Sequence, residues 1–262
     1  MSKVKFEIDD SVGVITIAAP PLNQVNWQIM KDLDDAMSSA YLPEVRAVLL
    51  RAEGKHFSAG ADVGGTFSNV STREFEACLA RALSTMQKLQ DLPVPTIAAA
   101  QGMCFTAGLE IVLRCDLLWA SADSKFAHLE AKIGTTTLFG GAQMLVQRAG
   151  VARASQIIHS ADIFDAETFE RWGIVNTIVS NEELQAQALA CAKALAKGPT
   201  LAHAAGKRLI RTAADFGAVA ADRLVMVVAA PVFESTDMQG GVNAFVTHGP
   251  SDFVGKYAFQ GK

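Results

Sequence analysis

No two cysteines of this chain stand in a C-x-x-C spacing; Cys78, Cys104, Cys115 and Cys191 are scattered. That pattern argues against a disulfide scaffold and against zinc knuckles. A basic tract is also missing, and 23 Lys and Arg against 27 Asp and Glu leave a net charge of −4. No nucleic-acid groove driven by phosphate contacts is expected from such a balance. Long apolar runs are absent as well. The stretch "LVMVVAAPVF" at 224–233 falls well short of the roughly 20 residues that span a bilayer. The opening "MSKVKFEIDD" goes straight into an alternating strand pattern. No apolar leader is read there, so a cytoplasmic protein without membrane contact is the expectation. No G-x-G-x-x-G follows the first strand, no G-x-S-x-G occurs, and the five histidines form no H-x-x-x-H. Nicotinamide binding, a serine-hydrolase elbow and a helical zinc site are not indicated, and no metal is expected.

What is present is a chain of 262 residues, half of them hydrophobic, enough for one compact α/β domain and some subunit contact. "KFEID" alternates, "DSVG" turns and "VGVITIA" returns, which predicts a hairpin. Asn26 precedes an amphipathic helix with Ile29, Leu33 and Met37 on one face. "VRAVLLRAE" is apolar almost throughout and predicts a strand buried on both faces. Ser71 with Glu74 three residues on is a capping box opening a long helix. "PVPTIAAAQG" reads as a strand, "TAGLEIVLRC" as a short helix and "DLLWASADSKFAH" as a strand with its extension. Helices are expected over 140–149, 151–159 and 165–171, a strand at "IVNTIVS", and helices through most of 181–248, one of them broken or kinked by Pro231.

Two corners concentrate small residues after apolar strands: "FSAGAD" at 57–62 and "FTAGLE" at 105–110. The first N–H groups of a helix lack internal partners, and small residues let a ligand approach that backbone. Two such N–H groups aimed at one carbonyl oxygen would stabilise an enolate. Glu110 lies just inside the second corner, and Glu130 follows in "SKFAHLEAKIGTTT". Two acids near such donors could hold a water and move a proton, and would push each other's pKa apart. The residues alone leave the plainer reading open: two ordinary turns, a dipole-complementing Glu110 and a solvated Glu130. Cys104 reads as a small buried residue. His128 reads as a loop histidine able to tune Glu130.

In order along the chain, "FSAGAD", "GMCFTAGLE…CD", "FAHLEAKIG" and the tail "FVGK" resemble the enoyl-CoA hydratase/isomerase (crotonase) superfamily. The resemblance implies a crotonase-like α/β spiral of β-β-α units over residues 1–198. It implies a helical C-terminal region over 199–262 that packs trimers or dimers of trimers. It implies an acyl-CoA thioester as partner, with coenzyme A carried by the substrate and no separate cofactor. Backbone N–H groups of Ala61 and Ala107 would form an oxyanion hole. Glu110 and Glu130 match both acids that the family's hydratases use, one activating water for Cβ and Glu130 exchanging the Cα proton. Lys55, Ser58, Ala59, Asp62, Val63, Gly64 and Gly108 would contact substrate or CoA beside the corners. Thr135 and Phe139 would line the acyl pocket, and Phe253 and Lys256 would meet CoA, Lys256 from a neighbouring subunit.

Reversible hydration of a 2-enoyl-CoA is the activity this implies. Isomerisation, cyclic-dienoyl hydration, decarboxylation or non-catalytic acyl-CoA binding on the same fold are the alternatives. The chain departs from the family where Thr106 and Ala107 replace glycines and Leu129 replaces proline before the second acid. Thr135 to Thr137 and Phe139 would add polarity to the acyl pocket. The oxyanion hole is therefore expected to be more tightly walled than usual.

Overall fold

A computed structural model describes residues 2–68 and 70–262. The hairpin expected at the start is β1 (Val4–Asp9) and β2 (Val12–Ile17), paired antiparallel. Asn26 caps α1 (Trp27–Ser39) by accepting the Ile29 N–H at 3.0 Å, and Ile29, Leu33 and Met37 are all buried. β3 (Ala47–Ala52) follows. A five-residue helix, α2 (Val63–Phe67), which the sequence pattern did not announce, leaves the first corner. α3 (Thr72–Asp91) begins with the expected capping box, Ser71 and Glu74 each bonding the other's backbone N–H.

β4 (Thr96–Ala100) and β5 (Met103–Phe105) lead to α4 (Ala107–Val112). "DLLWASADSKFAH" is not one extended strand. It divides into β6 (Leu117–Ser121) and β7 (Lys125–Ala127), which belong to different sheets. The chain turns at Ser124, whose N–H donates to the Ser121 carbonyl at 2.9 Å. α5 (Gly141–Ser160) carries a break at Gly150 (φ 77°, ψ 167°), the point where two helices were expected to meet. β8 (Phe164–Asp165), α6 (Ala166–Arg171), β9 (Thr177–Val179) and α7 (Leu184–Ala196) follow. The last helices are α8 (Thr200–Phe216), α9 (Ala218–Phe233) and α10 (Thr236–His248). Pro231 neither breaks nor divides α9; it falls in the final turn, where the helix is about to end.

The main sheet has six strands in the order β1-β2-β3-β4-β6-β9, all parallel beyond the first pair. Its strands separate two cores by simple alternation. Val48, Leu50, Ala98 and Ala100 point toward α1 and α3. Ala47, Leu49, Ile97 and Ala99 point toward α7, where Leu184, Ala188 and Ala192 meet them. This is why β3 is apolar without alternation.

A smaller sheet, β5-β7-β8, stands beside it and carries the segments that matter for chemistry. Bridges Val25–Ala61 and Ser58–Cys104 tie the first corner to this layer. Arg46, at the entry to β3, donates to Thr200 Oγ1 and to the carbonyls of Gly198 and Phe259, and so anchors the C-terminal helices and tail.

Phe126 of β7 stacks on Phe169 of α6 with ring centroids 4.7 Å apart, both fully buried. That pair braces the strand leading to Glu130. Phe169→Ala is expected to lower unfolding free energy by about 3–5 kcal/mol. Urea titration checks this, and a loss below about 1 kcal/mol would show that the stack is not a support.

Candidate active site

The two corners meet. The Ser58 N–H donates to the Met103 carbonyl at 3.0 Å and the Phe105 N–H donates back to the Ser58 carbonyl at 3.0 Å. Gly108 lies against Ser58 so closely that a Cβ on it would come within 2.5 Å of the Ser58 Cβ. Gly60, at φ 105°, leaves room for the Thr106 hydroxyl, which a Cβ there would approach to 2.1 Å. The small residues thus let two backbone turns pack against each other, which the sequence suggested on other grounds.

Beside them is a cavity of about 240 Å³. Of the residues that the resemblance implied for the site, Ala59, Ala61, Val63, Ala107, Glu110, Glu130, Thr135 and Phe139 line it. Val25, Asn26, Trp27, Thr66, Thr106, Leu129, Ile133, Thr136 and Leu138 complete the wall. Nothing local in the sequence singles out Trp27 or Thr66, because they reach the cavity from two separate helices.

Other expected contacts lie elsewhere in this single chain. Ser58 is fully buried, donating to the Asn23 carbonyl at 2.8 Å and accepting the Gly60 N–H at 3.0 Å. Asp62 caps α2 by accepting the Gly65 N–H at 2.9 Å. Gly64 and Lys55 are exposed and outside the cavity wall. Thr137 is not part of the wall either; its hydroxyl accepts the Ala142 N–H at 3.4 Å. Phe253 packs edge-on against Phe245, and Lys256 is exposed.

The acids are held differently. Glu110 is buried, and its Oε1 accepts the N–H groups of Phe139 at 2.9 Å and Gly141 at 2.8 Å. Arg114 fixes that turn from behind, donating to the Phe139 carbonyl at 2.8 Å and to Gln90. Gly140 (φ 94°) is required there, since a Cβ would collide with the Arg114 guanidinium. Glu130 opens a 3-10 turn, Glu130–Ile133. Its Oε1 meets Nδ1 of the buried His128 at 3.2 Å. Its Oε2 is buried with no partner among the described residues, as are His128 Nε2, Trp27 Nε1 and Thr66 Oγ1. Trp27, Thr66 and Glu130 line the cavity, where such orphaned groups are satisfied by water or ligand. His128 does lie in a loop, just after β7, but it is buried there as a neighbour of Glu130. Cys104 is fully buried and burial pushes its thiol far up, so it is a packing residue.

A mainly parallel sheet whose strands advance in one direction, with a small side sheet beside it, defines a crotonase-type fold. The family model for enoyl-CoA hydratase/isomerase matches residues 7–256. This chain belongs to the enoyl-CoA hydratase/isomerase family. A Mycobacterium bovis protein named probable enoyl-CoA hydratase is 31% identical over 253 residues, covering 93% of this chain and 94% of its own. The crotonyl-CoA hydratase of Syntrophomonas wolfei is 28% identical, covering 96% and 97%. Among solved structures, an enoyl-CoA hydratase subunit I from Geobacillus kaustophilus superposes with a TM-score of 0.91 at 27% identity, covering 99% and 98%. DspI of Pseudomonas aeruginosa superposes with a TM-score of 0.89 at 27% identity, covering 95% of each chain. No helix among the described residues is long and apolar enough to cross a membrane.

Burial raises the Glu110 pKa and the Glu130 charge adds to the rise, while His128 and the N–H groups of Gly141 and Phe139 oppose it. The folded protein therefore keeps the Glu110 proton to higher pH than the unfolded chain. Folding takes up a proton between the ordinary and the raised value, so stability falls as pH rises through that window. Glu110→Gln removes this slope. The stability of the variant relative to wild type should increase as pH rises above the ordinary carboxylate range in denaturation experiments. A relative stability that stays flat or falls as pH rises above that range would contradict the buried-acid account.

Proposed function

We propose that this chain hydrates a 2-enoyl-CoA thioester reversibly. The observation that carries the reading is the pair Glu110 and Glu130 in one cavity wall with Ala61 and Ala107. The names of the relatives support the substrate class. Polarising the thioester carbonyl lets the double bond accept water at Cβ, with charge gathering on the thioester oxygen as an enolate. Glu110 takes the water proton as the new C–O bond forms. Its burial, which raises its proton affinity, suits it to that role. Glu130 delivers a proton to Cα, and its unpartnered Oε2 is the atom free to carry it. Water is added across the double bond, and the proton returns from Glu110 to Glu130 to complete the cycle. The step is redox-neutral and draws on no redox cofactor.

CoA contacts from Lys55, Asp62, Gly64, Phe253 and Lys256 belong to this proposal, the last two from an assembled oligomer. Ile210, Phe216, Met226, Phe233 and Val246 on the C-terminal helices are exposed apolar side chains, a surface suited to further copies of the chain. Light scattering is expected to give three or six times the 27.8 kDa chain mass; a monomer at assay concentration would refute the assembly.

Crotonyl-CoA hydration, followed as loss of enoyl-thioester absorbance, tests the chemistry. Glu110→Gln and Glu130→Gln should each lower kcat by about 10²–10⁴. Unchanged turnover in either variant would remove that acid from the mechanism. Turnover of 3-enoyl substrates alone would assign an isomerase, and binding without turnover would leave an acyl-CoA-binding protein.

A further inference from the structure

The Ala61 N–H does not face the cavity as a free donor: it donates to Thr106 Oγ1 at 3.2 Å. Thr106 itself lines the cavity beside Ala107. Its backbone is at φ 44°, ψ −117°, a region costly for a β-branched residue and kept only where the surroundings enforce it. Three contacts enforce it here. The Thr106 N–H donates to the Ala127 carbonyl at 2.8 Å, its carbonyl accepts the Glu110 N–H at 2.9 Å, and the missing side chain of Gly60 leaves space for the hydroxyl. A hydroxyl carries one donor hydrogen and two acceptor positions. Oγ1 uses one acceptor position on Ala61, and its hydrogen meets no acceptor among the described residues.

We infer that the thioester oxygen is received by the Thr106 hydroxyl together with the Ala107 N–H, with the Ala61 N–H acting from behind the hydroxyl. This rests on the thioester reading above. The hydroxyl donates a hydrogen bond and keeps its proton. An N–H donating into the oxygen polarises the O–H, so the two bonds in series reinforce each other. The carbonyl then sits farther out than it would against two bare amides. Thr106 is thus a catalytic residue in place of one backbone donor.

Two measurements on the full chain test this. Thr106→Val keeps the shape and removes the donor, and should lower kcat for crotonyl-CoA by about 10²–10³. KM should change little, because the bond strengthens in the transition state. Thr106→Ser should retain most of the rate, and Thr106→Gly, which uncovers the Ala61 N–H, should recover much of what valine loses. Wild-type kcat in the valine variant, or a glycine variant faster than wild type, would overturn the inference. The second measurement needs no variant: a crystal structure of the wild type with butyryl-CoA. It should place Thr106 Oγ1 about 2.5–3.0 Å from the thioester oxygen with the Ala61 bond intact. The thioester oxygen on the Ala61 N–H instead would overturn the inference while leaving hydration standing. The oxygen on Thr106 without turnover would overturn hydration and keep the inference. A wild type that binds no thioester would contradict both.

Discussion

A carboxylate taken out of water must find donors, and Glu110 finds two backbone N–H groups from one turn. Much of the site follows from that requirement. The turn exists because Arg114 holds the Phe139 carbonyl and Gly140 has no side chain to obstruct the guanidinium. Gly141 must be small, since a Cβ would press on both His128 and the Glu110 side chain. Arg114 stands in the turn directly after α4, the short helix that presents Glu110 and the Ala107 N–H. One short helix and the turn that ends it therefore position an acid, a donor and the clamp on the loop that stabilises the acid.

The second constraint is the close approach of the two corners. It rests on glycines at 60 and 108 and on strand-like pairing between Ser58 and the segment at 103–105. Glu130 is held by different means, through the buried His128, which directly follows the strand that the Phe126–Phe169 stack supports. The two acids thus sit in unlike surroundings, one pinned by amides and one with an oxygen unpartnered. That asymmetry suits two distinct proton-handling roles.

Much of this was legible in the sequence where the signal is local. The Asn26 cap, the Ser71–Glu74 box, the unbroken apolar run of β3 and the break near Gly150 each reflect a few adjacent residues. The ordered corner motifs, through family resemblance, also pointed to Ala61, Ala107, Glu110 and Glu130 together. Juxtapositions across the fold were not legible. Nothing near Arg114 in sequence indicates that it clamps Phe139, and nothing near Thr106 indicates that its hydroxyl covers the Ala61 N–H. Ser58 and Gly108 were expected beside substrate or CoA through the family resemblance. The structure adds that they also pack corner against corner, a role with the same local pattern. The split of β6 from β7 was hidden because both halves carry apolar residues and only their partners differ.

The central claim is that two carboxylates act on opposite ends of one double bond through an enolate. Running the reaction in deuterium oxide tests it most directly. The account predicts one deuterium at Cα of the 3-hydroxyacyl product for each turnover and none on Cγ, read by NMR. A product with hydrogen at Cα, or with deuterium at Cγ, would contradict it.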